Sequence, residues 1–141
     1  MDKREQAEKI SKLLITINKN IHREVGRQIE CFGLTVPQFF VLRILDKEPN
    51  LSVSEISQRA SLTNSTISGI VDRLEKEGLV VRTRDERDRR VVYVNLTEKT
   101  RQLKNQIPVK SDYFGNWIKD LDPAKVDQII ESLSLLARTL S

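Results

Sequence analysis

The amino-acid sequence predicts a mainly α-helical fold that contains one small β-hairpin. Two observations carry this prediction. Apolar residues recur at intervals of three and four over most of the 141 residues, which is the pattern of amphipathic helices. Between Leu79 and Leu96 the interval changes to two and the residues become β-branched or aromatic, which is the pattern of strands.

The composition is that of one domain, or of one compact subunit with a dimerisation arm. Hydrophobic residues make up 38% and charged residues 31%, so we expect part of the apolar surface to be covered by a second copy. The net charge is +4, from 24 basic and 20 acidic residues. An anionic partner must therefore meet a local basic patch rather than the whole surface.

The single cysteine, Cys31, excludes an internal disulfide and agrees with a reducing cytosol. The sequence has no run of about 18 apolar residues, and its first five residues lack the apolar core of a signal peptide. We therefore expect a cytoplasmic protein that does not enter a membrane.

The first predicted helix covers residues from about 5 to 30 and ends near Gly33. Its apolar stripe consists of Ile10, Leu13, Leu14, Ile17, Ile21 and Val25. The rest of one subunit is too small to cover a helix of this length, so the stripe is a candidate subunit contact. The alternative is packing within its own chain only.

Two shorter helices follow. The first opens at Thr35, tolerates Pro37 in its first turn and is apolar on most sides, as a core helix is. The second begins with a capping box in which Ser52 and Glu55 pair across the first turn, and it runs to about Ala60.

A fourth helix is predicted from the cap Thr63 to the left-handed terminator Gly78, with Ile67, Ile70, Val71 and Leu74 on its buried stripe. Its other side carries mostly short polar groups: Asn64, Ser65, Thr66, Ser68, Gly69, Asp72 and Arg73. Short side chains let a helix backbone approach the major groove of DNA closely. With the preceding helix and turn, it forms a helix-turn-helix.

A charged loop, 85–90, separates the two predicted strands, 79–84 and 91–96, and completes a winged helix-turn-helix. From Arg82 to Arg90 there are five arginines and three acids, a net charge of +2. Arginine binds phosphate in a bidentate manner and enters narrow minor grooves, and the acids would hold the arginines extended. The alternative is a solvated charged tip.

The rest of the chain is predicted to be helical. Thr97 opens a helix that includes Leu103 and Ile107 and is broken by Pro108. An apolar pattern resumes with Phe114, Trp117, Ile118 and Leu121, and Asp122 with Pro123 opens the last helix, whose stripe is Val126, Ile129, Ile130, Leu133, Leu136, Ala137 and Leu140. We therefore divide the chain into an N-terminal dimerisation helix (1–34), a DNA-binding lobe (35–97) and C-terminal dimerisation helices (98–141).

The segment from Leu51 to Thr97 resembles the MarR family of bacterial transcription regulators. The matching residues are Ser54-Glu55-Ile56, the run from Val71 through Asp72-Arg73-Leu74-Glu75 to Gly78-Leu79-Val80, the wing from Arg82 through Asp88-Arg89-Arg90, and Asn95-Leu96-Thr97. They cover about a third of the chain. The flanking helices match in pattern only.

This resemblance implies a homodimer that binds a pseudopalindromic operator and usually acts as a repressor. By position, Ser65, Thr66 and Ser68 would contact DNA in the major groove, with Asn64 beside them, and Arg73 would bind the backbone. Asp88 would orient Arg90 for the minor groove, and Arg87 and Arg89 would add phosphate contacts. The alternatives are an ion pair of Arg73 with Glu77 and simple hairpin capping by Asp88.

The resemblance also implies release by a small phenolic or lipophilic effector, bound between the dimer helices and the DNA-binding lobe. His22, Tyr113 and Trp117 are candidate lining residues, although a role in the helix core is favoured. A redox-sensing role of Cys31 is an alternative, but peroxide sensors of this family place their cysteine early in the first helix, and a buried Cys31 is favoured.

Other classes of function are less well supported. One histidine and one cysteine are too few for a catalytic triad or a zinc site, and no glycine-rich phosphate loop occurs, so we expect no enzyme, cofactor or metal. A winged helix that only binds proteins would carry acidic or apolar groups on its exposed helix face. The hydroxyls and arginines found there favour DNA.

Overall fold

A computed structural model of the chain describes residues 1–106 and 115–141. They belong to two compact units, Met1–Pro108 and Val109–Ser141. The predictions made for Ile107, Pro108, Tyr113 and Phe114 lie outside the described residues.

The first unit begins with a long helix, α1 (Lys3–Ile29), whose first turn is capped by the Asp2 carboxylate. A single 3₁₀ turn, Glu30–Phe32, continues it to Gly33, where a φ of 71° ends the helical path as predicted. In α1, only Val25 and Ile29 are buried. The predicted stripe at its N-terminal part is exposed, so the alternative of packing only within this chain is not observed there.

The helix-turn-helix is formed by α3 (Val53–Ala60) and α4 (Asn64–Lys76), preceded by the core helix α2 (Val36–Lys47). Capping boxes begin α2 at Thr35 and α3 at Ser52. Thr63 caps α4, and Gly78, with φ 74°, lies just beyond its end. Each of these boundaries was predicted, because caps are local signals.

The hairpin consists of β1 (Val80–Arg84) and β2 (Val92–Leu96), which pair antiparallel from Val80 with Leu96 to Arg84 with Val92. Leu51, in the loop before α3, forms one further antiparallel bridge with Val94. A two-stranded hairpin is marginally stable alone, so this bridge and the packing of its base on α4 support it.

The core lies where α2, α3, α4 and the base of the hairpin meet. The largest fully buried side chains are Ile29, Leu45, Ile56, Ile67, Leu74, Val25, Val41, Val71, Val80 and Val94. Three of the four stripe residues predicted for α4 are buried, and Ile70 is half-buried. The polar face of α4 is therefore turned away from the core.

Helix α5 (Glu98–Lys104) follows the hairpin and is shorter than predicted, since Asn105 already caps its end. In the second unit, α6 (Gly115–Ile118) precedes α7 (Pro123–Leu140), which Asp122 caps through the Ala124 N–H. In the described part of the chain no single helix is both long and apolar enough to cross a membrane. The segments Lys3–Phe32 and Val36–Lys47 reach that length and apolar character only when taken together, and they are bent by 84° relative to each other.

Candidate nucleic-acid interface

The exposed face of α4 is built from small and polar residues. Ser65, Gly69 and Asp72 recur at intervals of three and four along its outer side, and all three are exposed. A Cβ placed on Gly69 would meet no atom within 4 Å, so the backbone there is open to an approaching surface. Among the described residues, none covers the centre of this face at Gly69.

The first turn of α4 carries a small network of hydroxyl groups. Thr63 Oγ1 accepts from the Thr66 N–H at 3.2 Å and lies 2.8 Å from Thr66 Oγ1 and 3.2 Å from Ser65 Oγ. One hydroxyl carries one proton, so Thr63 can donate to only one of its two neighbours. Ser65 and Thr66 are therefore both in hydrogen-bond contact with the cap, and both residues are exposed.

Three predicted DNA contacts on α4 have free side chains. Among the described residues, no hydrogen bond or ion pair engages the side chains of Asn64, Ser68 or Arg73. The alternative ion pair between Arg73 and Glu77 is thus not formed within the described part of the chain. Ser68 is half-buried, whereas Asn64 and Arg73 are exposed.

The tip of the wing is an ordered turn organised by Asp85. Its Oδ1 accepts from the backbone N–H groups of Arg87 at 2.7 Å and of Asp88 at 3.2 Å, and its Oδ2 accepts from the Tyr93 hydroxyl at 3.2 Å. These backbone donors lower the pKa of the Asp85 carboxyl, and the same carboxylate raises the pKa of Tyr93. The carboxylate therefore fixes the start of the tip.

Asp88 and Arg90 form the pair that the resemblance implies. Arg90 Nε donates to Asp88 Oδ1 and Arg90 Nη2 to Asp88 Oδ2, both at 3.0 Å, in a bidentate contact. The contact lowers the pKa of the Asp88 carboxyl. Asp88 Oδ1 also accepts from the Arg90 N–H at 3.1 Å, so the carboxylate caps the turn and orients the side chain at once. The Arg90 side chain stays 91% exposed.

The other arginines of the wing divide by role. Arg84 Nη1 donates to the Arg89 carbonyl at 2.8 Å and so links the end of β1 to the far side of the tip. Among the described residues, the side chains of Arg87 and Arg89 have no partner and are exposed. Of these arginines, Arg90 is thus paired with an acid of the wing, whereas Arg87 and Arg89 are paired with none among the described residues.

Arg82 has a role that the sequence did not reveal. Its Nη2 lies 2.8 Å from Asp72 Oδ1 and its Nη1 lies 3.0 Å from Glu75 Oε1, so one guanidinium joins β1 to two carboxylates of α4. Burial opposes its charge, yet the two carboxylates outweigh burial and raise the pKa of Arg82. The signal available was the pair of acids one helical turn apart, but their partner was visible only in three dimensions.

A second contact missed by sequence reasoning anchors the C-terminal end of α4. Thr97 Oγ1 donates to the Gly78 carbonyl at 2.6 Å, Lys99 Nζ to the Glu77 carbonyl at 2.9 Å, and Thr100 Oγ1 to the Leu79 carbonyl at 2.5 Å. Thr97 was predicted to cap its own helix. Its hydroxyl instead satisfies a carbonyl left free at the end of α4.

An open cleft of about 720 Å³ lies between the start of α3 and the wing. Its lining consists of Ser52, Val53, Ser54, Arg82, Arg84, Arg90, Val91 and Val92. Three arginines line this cleft, and two of them, Arg82 and Arg90, are paired with acids of the chain.

The structure corrects two predictions outside this surface. Cys31 was expected to be buried, but it lies exposed in the 3₁₀ turn after α1, because that turn projects beyond the core. His22 and Trp117 were favoured as core residues, yet His22 is exposed beside Phe40, at 6.3 Å between ring centroids, and Trp117 is 41% exposed.

No cluster of three or more potential metal ligands occurs among the described residues.

Comparison with known proteins places these features in context. The family model described as the MarR family matches residues 34–92 of this chain. An uncharacterised HTH-type transcriptional regulator of Bacillus subtilis, YfiV, is 34% identical over 108 residues, which is 76% of this chain and 68% of that protein. The segment that the family model matches includes α2, the helix-turn-helix and most of the wing.

Solved structures extend the similarity to the terminal helices. A MarR family protein from Bacillus stearothermophilus is 30% identical, with a TM-score of 0.74 over 99% of this chain and 98% of that one. The transcriptional repressor CouR bound to a 23-mer DNA duplex is 25% identical, with a TM-score of 0.79 over 97% and 98%. CouR from Rhodococcus jostii RHA1 bound to p-coumaroyl-CoA is 28% identical, with a TM-score of 0.76 over 93% of each chain.

Proposed function

This chain belongs to the MarR family of transcription regulators, and we propose that it represses transcription by binding a pseudopalindromic operator as a homodimer. One observation carries the proposal. Asn64, Ser68 and Arg73 of α4, whose side chains have no bonding partner among the described residues, stand in the same unit as a tip whose Arg90 is oriented by Asp88 and is 91% exposed. This combination suits a helix in the major groove and an arginine in the adjacent minor groove.

The contacts divide into two kinds. Asn64, Ser65, Thr66 and Ser68 lie toward the N-terminal part of α4, the part that reaches base edges when such a helix enters the major groove. Arg73, Arg87 and Arg89 carry guanidinium groups that no described residue engages and that suit phosphates, and Arg90 enters the minor groove. Base contacts give specificity, while phosphate contacts give affinity and register.

The terminal helices support the dimer. Exposed apolar residues occur along both α1 and α7: Ile10, Leu13, Leu14 and Ile17 on the first, and Ile129, Ile130, Leu133 and Leu140 on the second. Surfaces of this kind mark protein interfaces. We therefore retain the division into dimerisation helices at 1–34 and 98–141 and a DNA-binding lobe at 35–97.

Release of DNA by a small phenolic or lipophilic effector is part of the proposal. It is supported by the structure of CouR with p-coumaroyl-CoA. An effector acts only if it binds the DNA-competent and the released conformations with different affinities. The protein would work in the cytoplasm and would not be an enzyme.

The test begins with selection of bound sequences from random duplex DNA. On the selected duplex, Arg90→Ala should weaken binding by about 1–3 kcal/mol, because the arginine reads a groove. Anisotropy titrations at fixed salt would measure this loss. Arg101→Ala is the matched control, since Arg101 is an exposed arginine that also pairs with an acid, Glu98 at 3.5 Å, but lies on α5.

The salt dependence tests the partner itself. The slope of log K against log salt should be steep, about −0.9 for each phosphate that the protein neutralises. A flat dependence would show that no phosphates are neutralised and would count against DNA as the partner. Unchanged affinity in Arg90→Ala would refute the role given to the wing.

A further inference from the structure

We propose that Arg82 is a positioning residue, whose guanidinium fixes the wing against α4 so that both fit one duplex together. It deepens the proposed function and rests on it. Arg82 stands on β1 opposite Val94, and its side chain bridges to Asp72 and Glu75 of α4. The contact therefore connects the two elements to which DNA binding is assigned.

The position of Arg82 along the hairpin explains how its contact with α4 can fix the wing. Beyond Arg82, the hydrogen bonds of residues 84–90 within the described chain all run to other residues of the hairpin. Arg82 is thus the outermost side chain of the wing that bonds to α4. Val94, opposite Arg82, is also bonded to Leu51, but without Arg82 no side chain of the wing would bond to α4 at this level among the described residues, and a two-stranded hairpin alone is marginally stable.

The charges of Asp72 and Glu75 give the same contact a second effect on DNA binding. Asp72 lies on the exposed face of α4, with its side chain 65% exposed, and Glu75 is 43% exposed. Two uncompensated carboxylates there would repel the phosphates of an approaching duplex. The Arg82 side chain is only 25% exposed, so it is directed at the acids of its own chain and away from a DNA backbone.

Arginine suits this bridge better than lysine. Its planar fork presents several N–H donors in fixed directions, so Nη1 and Nη2 serve one carboxylate each. A lysine would supply a single charge on a flexible stem and would hold one carboxylate at a time. We therefore expect Arg82→Lys to restore only part of what Arg82→Met loses.

The first experiment needs no DNA. The ¹⁵N–¹H heteronuclear NOE of the Arg87, Asp88 and Arg89 amides reports fast motion of the tip. We expect lower values in Arg82→Met, intermediate values in Arg82→Lys, and unchanged values in Arg59→Met, which removes a comparable arginine bridge to Glu48. Unchanged tip values in a folded Arg82→Met protein would overturn the proposal.

The second experiment uses a fluorescein-labelled duplex selected by the wild-type protein. Arg82→Met should weaken binding about tenfold, which is within the range of coupled contacts. The slope of log K against log salt should stay unchanged, because a positioning residue neutralises no phosphate. A slope reduced by about 0.9 would place Arg82 on the DNA backbone and overturn the proposal, as would an unchanged affinity.

A double-mutant cycle completes the test. The variant Asp72→Asn/Glu75→Gln removes the partners, so adding Arg82→Met to it should cause no further loss of affinity. Additive losses would mean that Arg82 acts without these acids and would overturn the proposal. If the wild-type protein bound no duplex at all, the proposed function would fail, while the NOE experiment would still decide whether Arg82 fixes the wing.

Discussion

At the scale of single residues, the size of a side chain decides how closely α4 can approach another molecule. Gly69 lies on the exposed face between Ser65 and Asp72, and open space surrounds the place where a Cβ would stand. Glycine inside a helix costs about 0.5–1 kcal/mol relative to alanine. The presence of Gly69, which lowers helix stability at an exposed position, is explained if the backbone of α4 itself must come close to DNA.

Gly69→Ala should therefore change stability and DNA binding in opposite directions. We expect the free energy of unfolding to rise by about 0.5–1 kcal/mol, because alanine favours the helix and meets no atom of the chain. The affinity for the selected duplex should fall, because the methyl group enters the contact. Urea denaturation and anisotropy titration would measure the two effects.

Gly26→Ala provides the matched control on α1. Its Cβ would lie 3.6 Å from Val36 Cγ2, an ordinary van der Waals distance, so the helix gain should be similar. DNA affinity should not change, because Gly26 lies outside the proposed interface. If Gly69→Ala bound DNA as well as the wild type, close approach of the backbone would not explain this glycine.

What the sequence left undetermined at this scale is the partner of each side chain. The pairing of Asp88 with Arg90 was implied by the resemblance to the MarR family, and it joins residues only two positions apart. The bridge from Arg82 to Asp72 and the bond from Thr97 to Gly78 join residues that are far apart in sequence, and only the fold brings them together. The exposure of Cys31 likewise depends on which surface the core leaves uncovered.

At the scale of elements, α4 is secured at both ends. Thr63 caps its first turn, and three side chains from the start of α5 bond to the carbonyls of Glu77, Gly78 and Leu79. The last four carbonyls of a helix and the residues that follow need such partners when they are removed from water. The C-terminal end of the helix proposed to read DNA is thus bonded to the start of α5.

Thr100→Val tests this anchor. Thr100 is 5% exposed and its hydroxyl donates to the Leu79 carbonyl, so valine removes a buried hydrogen bond. The carbonyl keeps a second bond at 3.2 Å from the Thr97 N–H, so we expect a loss of about 1 kcal/mol rather than more. Urea denaturation at one protein concentration would measure it as a lower midpoint with an unchanged slope.

Thr16→Val is the control for this change. Thr16 is exposed, and its hydroxyl bonds only to the Lys12 carbonyl of its own helix, so its loss should alter stability by less than about 0.5 kcal/mol. Equal effects of the two substitutions would show that the loss comes from valine in a helix and would contradict the anchor.

Element boundaries were more predictable than side-chain partners, for a physical reason. Capping boxes at Thr35 and Ser52 and left-handed glycines at 33 and 78 are fixed by residues within one turn. The end of α5 was less well predicted. Helix α5 ends at Lys104, and Asn105, whose backbone N–H bonds to the Leu103 carbonyl, already lies beyond the helix.

At the scale of the whole molecule, the apolar residues of the terminal helices lie exposed. On α7 the predicted stripe includes Leu133, which is 51% exposed, and Leu136, which is half-buried. Exposed leucines in a row on one helix face are unfavourable in water, and burial against a second copy would remove their cost. The low hydrophobic fraction of the sequence led to the same expectation.

Replacing Leu133 and Leu136 with glutamate should therefore yield monomers. Two charges would have to be buried unpaired in a dimer interface, which is far more costly than losing the apolar contacts alone. Sedimentation velocity would detect the change, and the helical content by circular dichroism would show that the chain still folds.

Leu135, on the opposite side of α7, provides the control for this experiment. Successive residues of a helix are 100° apart, which places Leu135 about 160° from Leu133 and well away from the stripe. Leu135 is 59% exposed, so a general effect of acidic residues on α7 would act there too. Leu135→Glu should leave the dimer intact. If it yielded monomers while Leu133→Glu/Leu136→Glu did not, the subunit contact would lie on the other face.

Half-sites on the selected DNA would still be expected about one helical turn apart, because that spacing follows from two lobes meeting one side of the duplex.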